Sequence, residues 1–158
     1  MAGSELQWRK LWPYLVGLFL LALLPRLYSA QAVGWGWDAP GSFTLVNFDE
    51  AGSCRAALQG FDYSTFIGSQ TIAIADLLGV GPAHGISGDA SAVKRYCHSP
   101  QHILIARTYS AVLGALTVVV LALLSLQLLP GEPRVAWTAA LLLAFSGFHM
   151  SESHSGTV

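Results

Sequence analysis

Val112 to Leu129 reads VLGALTVVVLALLSLQLL, and no charged residue occurs between Thr108 and Gly131. A helix crosses the ~30 Å hydrocarbon core of a bilayer with about 20 apolar residues at 1.5 Å each, and this run supplies them. Its end is marked as sharply as its interior. Pro130-Gly131-Glu132-Pro133-Arg134 stops the helix and resets the chain direction. A further apolar segment follows over about 135–151, led by Trp137, a residue suited to the membrane–water boundary. Two apolar segments joined by so short a turn are antiparallel neighbours, a helical hairpin.

Composition agrees with this local reading. Of 158 residues, 53% are hydrophobic and only 11% charged, against roughly 25% charged in a soluble domain. Mean hydropathy is +0.52. The net charge of −1 offers no field to attract a polyanion, and neither a basic cluster nor a zinc-knuckle spacing occurs, so nucleic-acid binding is set aside.

Upstream, Arg9-Lys10 precede an uncharged run from Leu11 to Pro25, and Leu27 to Val33 extend it past Arg26. Arg26 can snorkel towards the interface. The reading is a first span over about 11–32, an outer loop over about 33–103, a second span over about 104–129 and a third over about 135–151. A cleavable signal peptide is the competing account of the first segment, with Ala30-Gln31-Ala32 as its small-residue site. Arg9, Lys10 and Arg134 lie on one side and point to the cytoplasm. Arg26, Lys94, Arg95 and Arg107 lie towards the other side, where a long loop counts for little in the charge rule.

A 70-residue loop without elements of its own is unusual. Trp35, Trp37 and Phe43 among glycines suggest an aromatic turn at the interface. A helix begins near Asn47, and another over about Phe66 to Leu78 is apolar but too short to span, as an interfacial helix is. Gly79 to Ala92, rich in Gly, Ser and Ala, reads as a connector. Cys54 and Cys97 both fall in this loop: in an oxidising compartment they can pair, and otherwise they are two buried thiols.

Chemistry concentrates at Val46-Asn47-Phe48-Asp49-Glu50-Ala51-Gly52-Ser53-Cys54-Arg55. With Asn47 as N-cap, Glu50 occupies the position from which a capping-box carboxylate reaches back to the cap amide. Both acids suit the positive end of a helix dipole, so the pair has a purely structural account. Asp49, left free by that account, suits acceptance of a proton or the holding of a divalent cation. His98 and His102 are separated by Pro100, and no third ligand stands at zinc spacing.

The order of these features resembles the N-terminal part of GT-C class, lipid-carrier-dependent glycosyltransferases, the group of protein O-mannosyltransferases and lipid A aminoarabinose transferases. The residues that carry it are Asp49-Glu50 on the first outer loop, Gly60-Phe61-Asp62-Tyr63-Ser64, Arg107-Thr108-Tyr109-Ser110-Ala111-Val112-Leu113-Gly114, and Ser153-His154 after the third apolar segment. The proline that the family places after Tyr63 is absent, and Val158 is the last residue, where a second acid would follow.

The resemblance implies an all-α integral membrane protein, a partial GT-C fold of three transmembrane helices with short interfacial helices on the outer loop. It implies inverting transfer of a sugar from a polyprenyl-phosphate donor to a protein, lipid or glycan acceptor. Asp49 would be the base and Glu50 its support. Arg107 and His154 would meet the lipid phosphate, with a divalent cation as an optional partner. The membrane would be a bacterial plasma membrane or of the endoplasmic-reticulum type, with the active face periplasmic, extracellular or luminal. The chain reads as a fragment of a longer transferase, not expected to turn over alone. Two rivals stand beside this reading. One is a transporter or channel subunit with Asp49, Asp76 and Arg107 along a polar path. The other is a non-catalytic membrane protein that docks partners through the Trp35–Phe43 turn.

Overall fold

A computed structural model describes residues 2–32, 49–60 and 65–154, with side chains described for 10–31, 51–60 and 65–150. These residues form α1 (Ala2–Ala32), α2 (Asp49–Gln59), α3 (Thr65–Leu77), a 3-10 turn (Ile86–Gly88), α4 (Ala90–Cys97), α5 (Pro100–Leu128), α6 (Pro133–Ala144) and α7 (Gly147–His154). No strand occurs among the described residues, so the all-helical expectation holds. Two helices are long and apolar enough to cross a membrane, over Lys10–Gln31 and Pro100–Leu128. The Trp35–Phe43 turn, Asn47 and most of the Gly60–Ser64 segment lie outside the described residues.

The third apolar segment differs from the expected continuous helix. At 12 residues α6 is about 18 Å long, short of the hydrocarbon core by itself. It ends because Ser146 bonds back only three residues, to the Leu143 carbonyl. Ser146 then opens α7, where its hydroxyl accepts from the His149 amide at 3.4 Å and its carbonyl accepts from Met150. Gly147, a poor helix former, marks the break. At the other end of the hairpin, α5 starts at Pro100 instead of about 104. Ser99 caps it, accepting from the His102 amide at 3.3 Å, and Pro100 fits the first turn because its missing N–H is not needed there.

Rows of buried residues, alanine the commonest, bring α1, α5 and α6 together. Buried residues recur every four positions: Leu18-Ala22-Arg26-Ala30 on α1, Ile103-Arg107-Ala111-Ala115 on α5, Ala136-Ala140-Ala144 on α6. Such rows let helix backbones approach closely, which is how apolar helices gain packing where lipid removes the hydrophobic driving force. Ala30 meets Arg107, while Leu18 and Ala22 share a core with Ala115, Val118 and Ala122. The helices α1 and α5 are therefore antiparallel. Tyr14 meets Trp137 with ring centroids 6.3 Å apart, and Arg26 reaches the Ala144 carbonyl, so α6 runs with α1. The Pro130 turn and the start of α1 thus share one end of the bundle.

At the opposite end a second layer packs α2 against α3, α4 and the 3-10 turn. Cys54 and Cys97 are disulfide-bonded and buried among Ala51 and Val93, with Leu58, Ile72, Ile86 and Tyr96 around them. The pairing that the count of two cysteines left open is thereby decided. Gly60 ends α2 in the left-handed conformation, φ +75°, with its amide bonded to the Ala56 carbonyl at 2.8 Å. The expected connector over Gly79 to Ala92 is corrected in its last part. Ala90–Ala92 are the first turn of α4, started by Asp89, whose carboxylate accepts from the Ser91 hydroxyl at 2.7 Å and from the amides of Ser91 and Ala92. The Ser91 hydroxyl first, and those amides with it, hold the Asp89 carboxyl below the usual carboxylate range.

Candidate functional site

Pro25 and Arg26 interrupt an otherwise apolar helix. Proline removes the bond that would reach the Leu21 carbonyl, and Arg26 turns its guanidinium back along the helix, donating to the Ala22 carbonyl at 2.6 Å and across to Ala144 at 3.2 Å. It is fully buried, 0% exposed. The snorkelling expected for it is therefore wrong: residue 26 lies on the row that faces α5 and α6, and an arginine on that row points inward. Arg107, 2% exposed, lies on the facing row of α5 and donates to the Ala30 carbonyl at 3.3 Å. The two guanidiniums meet α1 at different levels, Arg26 at the Ala22 carbonyl and Arg107 at the Ala30 carbonyl, about two turns or about 12 Å apart along the axis.

Burying a charge is costly unless it is hydrogen-bonded or paired, and an arginine buried within a membrane span is read as functional by default. Guanidinium presents a planar fork of donors that fits carboxylate or phosphate equally well. Arg26 and Arg107 place two such forks along the buried faces of α1 and α5. His149 lines the same region from α7, its Nε2 3.2 Å from the Gly114 carbonyl, and α7 packs on both α5 and α1.

Asp49 and Glu50 are the first two residues of α2, and α2 contacts α5, the helix that carries Arg107. His154 is the last residue of α7. The side chains of these three lie outside the description, so the structure places their helices but gives no geometry for the carboxylates or for the His154 ring. Among the described residues no group of three His, Cys, Asp or Glu side chains could hold a metal ion. His98 and His102 fall on different helices, at the end of α4 and the start of α5.

At that junction His102 is buried and its ring centroid lies 5.0 Å from that of Tyr96. The Tyr96 hydroxyl and His102 Nδ1 are both buried with no hydrogen-bond partner among the described residues. Burial, and then the negative charge of Asp76, push the Tyr96 hydroxyl up to about 12. Its unfolded value is near 10, so the fold favours the neutral phenol. That contribution is complete below about pH 10 and is lost as pH rises from there through about 12. Tyr96→Phe is expected to flatten the alkaline loss and to leave neutral-pH stability unchanged or higher by up to about 1 kcal/mol, because an unpaired buried hydroxyl disappears. Thermal midpoints of both proteins at about pH 7 and about pH 11 test this; equal alkaline losses would refute the role of Tyr96.

Sequence reasoning singled out Arg107 and the acid-led helix. It missed Arg26 as an inward group and placed His149 at the end of the third apolar segment without a role. The signal for Arg26 was its four-residue phase with Leu18, Ala22 and Ala30. No family model, curated protein or solved structure matches the chain.

Proposed function

We propose that the chain forms the N-terminal part of a GT-C type membrane glycosyltransferase that moves a sugar from a polyprenyl-phosphate donor to an acceptor on the oxidising side of the membrane. The observation that carries this reading is the burial of two arginines, Arg26 and Arg107, on the facing rows of α1 and α5. Buried guanidiniums on two long apolar helices suit the phosphate of a lipid-linked donor, whose tail needs the bilayer. The Cys54–Cys97 bridge supports the assignment of the α2–α4 layer to an oxidising compartment. In this reading α6 and α7 together make the third crossing, and residues 33–99 form the outer loop.

Asp49 then takes the acceptor proton as the acceptor attacks the anomeric carbon, and the sugar leaves its phosphate with inversion. Arg107 stabilises the phosphate charge that develops, and positioning of both substrates lowers the barrier further. Glu50 holds the start of α2, and His154 approaches the lipid phosphate from α7. In the full-length protein in proteoliposomes, Asp49→Asn should lower transfer from a polyprenyl-phosphate sugar by about 10²-fold or more, the range for a general base. Arg107→Met should raise the donor KM and lower kcat, with Arg107→Lys intermediate because a point charge replaces a fork. Transfer by Asp49→Asn within a few-fold of the parent protein would sink the base assignment.

Buried arginines within span helices also favour a second reading, a polar path for a transported solute. Solute flux into the same proteoliposomes without sugar transfer would support that alternative.

A further inference from the structure

Between α3 and α5 lies a cavity of about 380 Å³, walled by Ile74 and Leu78 on one side and by Leu104, Thr108, Tyr109 and Val112 on the other. Among the described residues no charged side chain lines it. On α5, Leu104, Thr108 and Val112 belong to one row of four-residue steps. The same row continues as Leu116, Val120, Leu124 and Leu128, all of them exposed large hydrophobics. The groove is thus the upper end of an exposed hydrocarbon ridge that runs the length of a helix able to cross a membrane. Its roof is α3, which buries Ile67, Gly68, Thr71 and Ala75, while Phe66, Leu77 and Leu78 stay exposed at its ends.

We infer that this groove is a binding site for one acyl chain of an outer-leaflet phospholipid, which follows the α5 ridge and passes beneath α3. The occupant is argued from that continuity: a chain lying against Leu116 and Val120 meets no polar barrier as it enters beside Val112. The absence of a cation in the lining makes it a site for the tail, not for the headgroup. A chain seated there fixes α3 at the membrane surface. Because α3 packs against α2, it also steadies the helix that Asp49 and Glu50 open. The inference rests on the reading of α5 as a membrane span.

The test uses the full-length protein in phosphatidylcholine vesicles that contain a trace of phosphatidylcholine with a photoactivatable group midway along one acyl chain. After irradiation, adducts are mapped by peptide mass spectrometry. Adducts are expected on Ile74 or Leu78 of α3 as well as on Thr108 or Val112, and on Val120 and Leu124 below them. Val112→Trp, which fills the groove, should abolish the adducts on α3 and leave those on Val120 and Leu124. Adducts on Val120 and Leu124 with none on α3 would overturn the site while the membrane reading stands. Adducts on neither would overturn both. Loss of the α3 adducts when a polyprenyl phosphate is added would assign the groove to the sugar donor and also overturn the proposal.

Discussion

Replacing Cys54 and Cys97 together by alanine is expected to cost the outer layer about 4 kcal/mol, the chain-entropy value for closing a loop of this length; the two cysteines are 43 residues apart in sequence. The apolar side chains around the bridge cannot make up such a loss. Among the described residues Ala51 and Val93 are the only other fully buried members of the cluster, and a buried valine contributes about 1.5–3 kcal/mol, an alanine less. The loop that the bridge closes contains all of α3 and the 3-10 turn, so its loss frees both ends of that segment at once. Amide hydrogen exchange reads the result by region. Exchange in α2 and α4 should accelerate by about 10²–10³, the factor that corresponds to 3–4 kcal/mol of local opening. The α5–α6 hairpin, whose contacts with α1 lie in the other core, should keep its protection. Unchanged exchange in α2 and α4 would show that packing alone holds this layer. Because both cysteines are buried, reductant added to the native protein should act only as fast as the layer opens.

The parts of this architecture that were legible share one property: their signals are local. An uncharged run from Thr108 to Gly131 states a long helix, and Pro130-Gly131 states its end. The apolar stretch near Phe66 to Leu78 became α3 within a residue at each end. Composition was the wrong guide for Gly79 to Ala92, where Asp89 followed by Ala-Ser-Ala-Val is a helix start that a Gly/Ser/Ala average conceals. Ser146-Gly147 likewise carried the break in the third apolar segment, beneath a hydrophobic average that ran straight through it. The burial of Arg26 and Arg107 on facing rows was not legible, because it depends on the register between α1 and α5. That register is set by the rows Leu18-Ala22-Arg26-Ala30 and Ile103-Arg107-Ala111-Ala115, each unremarkable alone. Cys54 and Cys97 stand in the same class: their pairing follows from the crossing of α2 and α4, which no spacing in the chain announces.

Gly68→Ala is expected to destabilise the same layer through a different contact. A Cβ at residue 68 would overlap the carbonyl oxygen of Ser53 and stand 3.0 Å from the Cys54 nitrogen. These are backbone atoms of α2, so no side-chain rotation relieves the overlap and α2 must move bodily. Alanine is the better helix former by about 1 kcal/mol, whereas overpacking costs about 1–3 kcal/mol and occasionally more. The site lies at the upper end of that range because Cys54, the neighbour of Ser53, is tied to α4 by the disulfide. A net loss of about 2 kcal/mol is the expected result. Gly17→Ala supplies the control: a Cβ there meets nothing within 4 Å, so the same chemical change should gain up to about 1 kcal/mol. If thermal unfolding shows Gly68→Ala to be as benign as Gly17→Ala, the close approach of α3 to α2 is wrong. Combining Gly68→Ala with the double cysteine replacement separates the two causes. Once the bridge is gone α2 can withdraw from the new methyl group, and the penalty at residue 68 should shrink, giving a coupling energy of about 1 kcal/mol. Simple additivity would mean that the disulfide does not set where α2 sits.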